Sequence, residues 1–170
     1  MISATIEGSG NGVPTTVVAA SDAIHWVSAD WRCDGDTDSG EILNAAAWVG
    51  DLGGIVYLTE GAFSDGASIA TTQRNVRIQG NGWHTVINHA FSGAMFSTYR
   101  APSVMNDGRE FQDMTLVGNS GTYPTSGNLG IYIYLTSPVT LRNLRMYDFG
   151  DSALGWYTSS GKDKFFLYNT

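Results

Sequence analysis

Asn75-Val76-Arg77-Ile78, Asp113-Met114-Thr115-Leu116, Asn143-Leu144-Arg145-Met146 and Lys164-Phe165-Phe166-Leu167 share one small pattern, and its recurrence decides the fold. The first and third agree more widely, as Arg-Asn-(Val/Leu)-Arg-(Ile/Met), and each reaches a glycine four residues on, Gly82 and Gly150. The anchors Ile78, Leu116, Met146 and Leu167 lie 38, 30 and 21 residues apart. Periods of about 20 to 50 residues mark stacked arrays, in which each unit buries its apolar face against its neighbours. Apolar and polar positions alternate at period two inside each unit, so the unit is a strand. A chain that returns to the same strand position at these intervals is expected to form a parallel β-helix, with Val76/Ile78, Met114/Leu116, Leu144/Met146 and Phe165/Leu167 stacked on one another.

The bulk composition agrees. The 170 residues suffice for one domain with a core, and 21 glycines with only 15% charged residues suit a turn-rich all-β protein. A net charge of −7 argues against nonspecific nucleic-acid binding through phosphates. Cys33 is alone, so it forms no intrachain disulfide, and it reads as a half-buried small side chain. No run approaches the roughly 18 apolar residues of a membrane span, so no membrane insertion is expected. Met1-Ile2-Ser3-Ala4-Thr5-Ile6-Glu7 has neither a basic nor an apolar region of the kind a secretory signal needs.

Three regions follow along the chain. Residues 1–22, with Gly8-Ser9-Gly10-Asn11-Gly12-Val13-Pro14, read as an extended arm outside the core. Residues 23–53 read as a short lead-in strand at Ala23–Val27 and a capping helix. Asp38 and Glu41 have capping-box spacing, Ile42, Leu43, Ala46 and Val49 follow at helical spacing, and the helix is predicted to end near Gly50. Trp26 and Trp31 read as apolar cover over the end of the stack. Residues 54–170 read as strands at 54–59, 67–71, 76–79, 85–88, 111–117, 129–135, 139–147, 153–157 and 165–168. A second strand follows the first by about nine residues, Ile87 after Ile78 and Leu154 after Met146. Asn81, Asn119 and Asn169 are expected at corners, where Asn tolerates left-handed backbone. The pattern beginning at Lys164 leaves a stack end, expected to be covered by further coils of a β-helix that continues past residue 170, in preference to a neighbouring subunit.

On three elements in order, the chain resembles the N-terminal part of pectate-lyase-like, right-handed parallel β-helix proteins, especially phage tailspikes. They are Asp34-Gly35-Asp36-Thr37-Asp38, then Gly53-Gly54-Ile55-Val56-Tyr57-Leu58-Thr59-Glu60-Gly61-Ala62-Phe63, then Ile78-Gln79-Gly80-Asn81-Gly82-Trp83-His84-Thr85-Val86-Ile87. Thr59 stands where that family usually has Pro. The resemblance covers residues 30–90, with looser likeness beyond. It implies an all-β, right-handed parallel β-helix with one N-terminal capping α-helix. It also implies a virion tailspike or fibre whose residues 1–22 dock on other virion proteins, whose chains form a homotrimer, and whose β-helix projects toward host-surface polysaccharide. The same fold carries lyases and hydrolases, so a polysaccharide-cleaving depolymerase is the alternative.

Catalysis on such a scaffold would use paired carboxylates about 5 to 9 Å apart. Asp148 and Asp151, three apart at a corner, are the candidates, with Asp113 one pass earlier. Tyr132, Tyr134, Trp156 and Tyr157 are candidates for stacking on sugar rings. Tyr132 and Tyr134 share one side of a strand whose other side carries Ile131, Ile133 and Leu135, and either face could be the outer one, or both could be buried. Asp34, Asp36, Asp38 and Glu41 lack EF-hand spacing, with Ser39 and Ala45 where Gly and Glu are needed, so no metal is expected there. His25, His84 and His89 have no ligand spacing, and no cofactor is implied. Arg77, Arg109 and Arg145 are expected on the outer faces of strands.

Overall fold

Period-two alternation yields strands such as Val76–Gln79, and among the described residues every strand pairing is parallel. The structure is a computed structural model describing residues 13–24, 26–50, 53–99, 108–124, 127–134, 138–157 and 165–168. Among these, β1 (Thr15–Ala19) and β2 (Trp31–Arg32) precede the helix α1 (Ser39–Val49). Then come β3 (Gly54–Leu58), β4 (Gly61–Ser64), β5 (Ile69–Thr71), β6 (Val76–Gln79), β7 (Thr85–Asn88), β8 (Ala94–Tyr99) and β9 (Arg109–Val117). The last are β10 (Leu129–Tyr134), β11 (Val139–Tyr147), β12 (Ser152–Tyr157) and β13 (Phe165–Tyr168). Two short 3-10 turns lie at Trp26–Ser28 and Gly82–His84.

The strands form two sheets. One runs β13-β11-β9-β6-β3-β1-β2, with β4 on β7 and β7 on the second half of β9. The other runs β12-β10-β8-β5. Successive passes therefore lay equivalent residues side by side. Val56, Ile78, Phe111, Leu141 and Leu167 make one interior column, and Phe63, Ile87, Leu116 and Met146 a second. Ile69, Phe96, Ile131 and Leu154 make a third, in the other sheet. The Phe96 and Phe111 rings meet 5.0 Å apart, joining the two sheets through a shared core.

This register corrects the expected alignment. Met114/Leu116 do stack on Leu144/Met146, and Val76/Ile78 share columns with Phe165/Leu167, but the two sets occupy different columns. The cause is a left-handed residue inside each long strand, Asp113 at φ 58° and Asn143 at φ 49°. Each one flips the alternation, so that residues 109 and 111 face inward before it and 114 and 116 after it. Leu154 likewise belongs to the second sheet and stacks on Ile131, not in the column of Ile87.

Other expectations shift too. Thr15–Ala19, within the stretch read as an arm, is β1, with Val18 and Ala19 fully buried. Of the residues read as a lead-in strand, Ala23, Ile24, Trp26 and Val27 are described and none is in a strand; Trp26 and Val27 belong to the short 3-10 segment. Trp31 is partly buried against the core and donates its indole N–H to Thr16 Oγ1 (3.1 Å). Helix α1 ends at Gly50 with φ 63°, as expected, but Asp38 makes no side-chain cap bond at its N-terminus. Asn119 has the left-handed backbone expected of a corner (φ 55°), whereas Asn81 has φ −94° and Asn169 lies outside the described residues. Arg109 is buried rather than outward, because it occupies the inward column between Val76 and Val139, and its Nε donates to the Gln73 carbonyl (3.0 Å).

Candidate functional site

The tyrosine face is settled by burial. Ile131 and Ile133 are buried, so Tyr132 and Tyr134 point outward from the β12-β10-β8-β5 sheet. Tyr132 and Tyr134 stack at 6.0 Å, and Tyr134 stacks on its register partner Tyr157 at 5.0 Å with 13° between planes. A Cβ added to Gly155 would come within 2.9 Å of the Tyr132 ring, so the absence of a side chain there lets the ring lie against the neighbouring strand. The three rings form a continuous strip on a rigid parallel sheet. Trp156 is in register with Ile133 and thus shares the inward face, although it is 48% exposed. It does not join the strip.

Asp148 and Asp151 share the corner between β11 and β12, and Asp113 lies apart from them within β9. Asp148 follows β11 with φ 61°; its backbone carbonyl accepts from Ser120 N–H (2.8 Å) and its Oδ1 accepts from Ser120 Oγ. Asp151 Oδ2 accepts from the Gly127 N–H (2.9 Å) and its Oδ1 from Ser152 Oγ (3.2 Å). Both thus hold the turn between β11 and β12 against the preceding pass. Asp113 lies elsewhere, between the two halves of β9. There it accepts from Asn143 Nδ2 (2.9 Å) and lines a cleft of about 420 Å³ with Gly82, Trp83 and Asn143. Trp83 escaped sequence reasoning, though a large aromatic beside Gly80-Asn81-Gly82, where a turn wants small residues, was a readable signal.

Two buried polar knots lie below these surfaces. His89 Nδ1 meets Asp65 Oδ2 at 2.6 Å with both side chains fully buried, and Nε2 faces the Gly93 carbonyl at 3.0 Å. A carbonyl oxygen only accepts, so Nε2 is the donor in that contact, and Asp65 Oδ1 also accepts from Ala90 N–H (2.7 Å). Rings of Phe91, Tyr123 and Phe149 surround the imidazole at 4.5 to 6.4 Å. In the second knot, Cys33 Sγ and carboxylate oxygens of Asp38 and Glu41 lie within 4.8 Å of one another. Asp38 already accepts from the backbone N–H of Gly35 (2.9 Å) and Ser64 (2.8 Å), one on each oxygen. Burial, then the carboxylates of Asp38 and Glu41, push the Cys33 thiol well above its ordinary range, so it stays protonated. The Asp38 carboxylate, engaged on both oxygens, fastens the chain ahead of α1.

No protein-family model and no curated protein matches this chain. Among solved structures it is similar to Geobacillus virus E2 ORF18, at 21% sequence identity and a TM-score of 0.52. The match covers 65% of this chain and 23% of that one, so this chain spans less than a quarter of that protein's length. The likeness is one of fold.

Proposed function

We propose that the chain is part of a phage appendage, a tailspike or fibre protein, whose strands wind into a right-handed parallel β-helix that presents a saccharide-binding face. The observation that carries this reading is the outward strip of Tyr132, Tyr134 and Tyr157 on a sheet built from parallel passes. Flat, partly exposed rings on a stiff support can stack on the apolar faces of sugar rings at little cost in side-chain ordering. The fold likeness to a phage protein supports a particle-borne setting. Residues ahead of β1 would attach to other virion proteins, and three copies would associate along the shaft.

Binding is favoured over cleavage. Asp148 Oδ1 and both carboxylate oxygens of Asp151 accept corner hydrogen bonds, the arrangement expected of turn residues rather than of an acid and base facing a substrate. The test is a printed array of bacterial capsular and cell-wall glycans probed with the full chain and with Tyr134→Ala/Tyr157→Ala. The proposal expects saturable binding to at least one glycan, lowered about tenfold or more in the double variant, since loss of two stacking rings forfeits more than 1.4 kcal/mol. Absence of binding, or equal binding by the variant, would overturn it. Release of reducing ends or unsaturated uronides from the bound glycan would reverse the preference for binding over cleavage.

A further inference from the structure

Between β6 and β7 the chain uses five residues, 80–84, for a turn that β9 and β11 each make with a single left-handed residue, Asp113 or Asn143. The inserted residues place Trp83 67% exposed on a backbone that is held from both sides. Thr115 Oγ1 donates to the Trp83 carbonyl (3.2 Å), Asn81 N–H donates to Thr85 Oγ1 (2.7 Å), and that hydroxyl donates to the Thr59 carbonyl (2.7 Å). Gly80 permits the close approach, since a Cβ there would lie 2.4 Å from the Asp113 carbonyl oxygen. A large indole kept in water on a fixed support is a preformed platform, because its burial would otherwise contribute substantially to the core.

The chemistry of the cleft beside it is one-sided. Asn143 Nδ2 donates to Asp113 Oδ1, which leaves Asp113 Oδ2 and Asn143 Oδ1 as acceptors. The arginines nearest Asn143 in sequence are directed elsewhere, Arg142 over the Tyr168 ring (5.5 Å) and Arg145 over the Tyr147 ring (5.2 Å). Among the described residues the lining is Gly82, Trp83, Asp113 and Asn143, an aromatic, an acidic and an amide residue with no basic one. Its volume, about 420 Å³, falls within the range of small-ligand sites. The net charge of −7 adds a field that attracts cations.

We propose that this cleft binds an organic ammonium group. The Trp83 indole makes the cation–π contact, and the Asp113 and Asn143 oxygens accept the N–H donors. A primary ammonium supplies three donors and a positive charge, which this lining matches. An acidic sugar would set like charge beside Asp113, and a neutral N-acetyl group would forfeit both the charge and two of the donors. The ammonium can be carried by an amino sugar or by a free polyamine. The site is independent of the tyrosine strip, and either can fail without the other.

The test follows the Trp83 indole N–H resonance of the full chain, assigned through Trp83→Phe, during titration with four probes. These are a glucosamine trimer, the same trimer fully N-acetylated, spermidine and trigalacturonate. The expected result is a saturable shift with the glucosamine trimer, about tenfold or more tighter than its acetylated counterpart and weakening several-fold as salt rises and screens the charge. A response to spermidine as well assigns the ammonium itself as the ligand, and a response to the trimer alone assigns an amino sugar; both support the site. Asp113→Asn, which preserves a side chain suited to left-handed backbone, should weaken binding about tenfold or more, and so should Trp83→Ala, whose titrations are followed by calorimetry because it lacks the indole reporter. Equal affinity for the acetylated trimer, no shift of Trp83 with any probe, or unchanged binding in both variants would overturn the proposal.

Discussion

Asn75, Asp113 and Asn143 occupy the first position of the recurring pattern, and all three have left-handed backbone, with φ of 52°, 58° and 49°. Most L-residues lose about 1–2 kcal/mol in that conformation because Cβ crowds the following carbonyl, while Asn and Asp tolerate it. The recurrence of Asn and Asp is therefore a backbone requirement, legible in the sequence as a repeat, although the left-handed geometry was expected at Asn81, Asn119 and Asn169, of which Asn119 has it. Asn75 is the cleanest place to measure it, being exposed. Asn75→Val should destabilise the protein by about 1–2 kcal/mol more than Asn75→Gly, since glycine adopts positive φ freely and a β-branched residue does not. Urea unfolding of the two variants measures the difference, and equal midpoints would mean that backbone strain is not what selects Asn. At the candidate sites, the outward sense of Tyr132 and Tyr134 was open in the sequence because isoleucine and tyrosine both suit a strand. Only the burial of Ile131 and Ile133 decides it.

Elements were legible where apolar residues alternate in long runs, and missed where they do not. β6, β7, β11 and β13 lie where the pattern puts them. β4 has a single large apolar side chain, Phe63, and β8 buries Met95 and Phe96 in succession, so neither shows the two-residue period. Helix α1 was found from its spacing and its glycine stop, but the role of Asp38 was not, because the carboxylate reaches across to Ser64 at the end of β4. That long-range bond makes the segment before α1 a latch, with Cys33 beneath it. Burial, with Asp38, Glu41 and Asp34 around it, raises the Cys33 thiol above its ordinary value of 9.0. The folded chain keeps this proton after the unfolded chain has released it. The unfolded state then binds fewer protons, and stability falls as pH rises. The contribution is intact below about pH 9 and declines above it by up to ~1.4 kcal/mol per pH unit until the raised folded value is reached. Comparing wild type with Cys33→Ala isolates this effect. The stability gap between them should shift against the wild type between pH 8.5 and 10.5, and a thiol reagent at pH 8 should label the native protein far more slowly than the urea-unfolded one. A pH-independent gap would place the thiol in water.

Across the whole molecule, stability resides in columns of side chains that each touch the pass before and the pass after. Val56, Ile78, Phe111 and Leu141 are buried along one such column, while Leu167 at its end is 52% exposed. Stacked repeats gain most of their stability from interfaces between neighbours, so the same truncation should cost different amounts at different heights. Leu141→Ala leaves a cavity between Phe111 and Leu167 and should cost about 2–5 kcal/mol. Leu167→Ala removes a side chain that is already half in water and, among the described residues, is paired with β11 alone, so about 1 kcal/mol or less is expected. Urea unfolding of the two variants compares the costs directly. A large loss at Leu167 would mean that something beyond β13 covers it in solution, which a rise in particle mass by light scattering would identify as another copy of the chain. A small loss at Leu141 would instead dissolve the column itself, and with it the stiff support on which both the tyrosine strip and the Trp83 cleft depend.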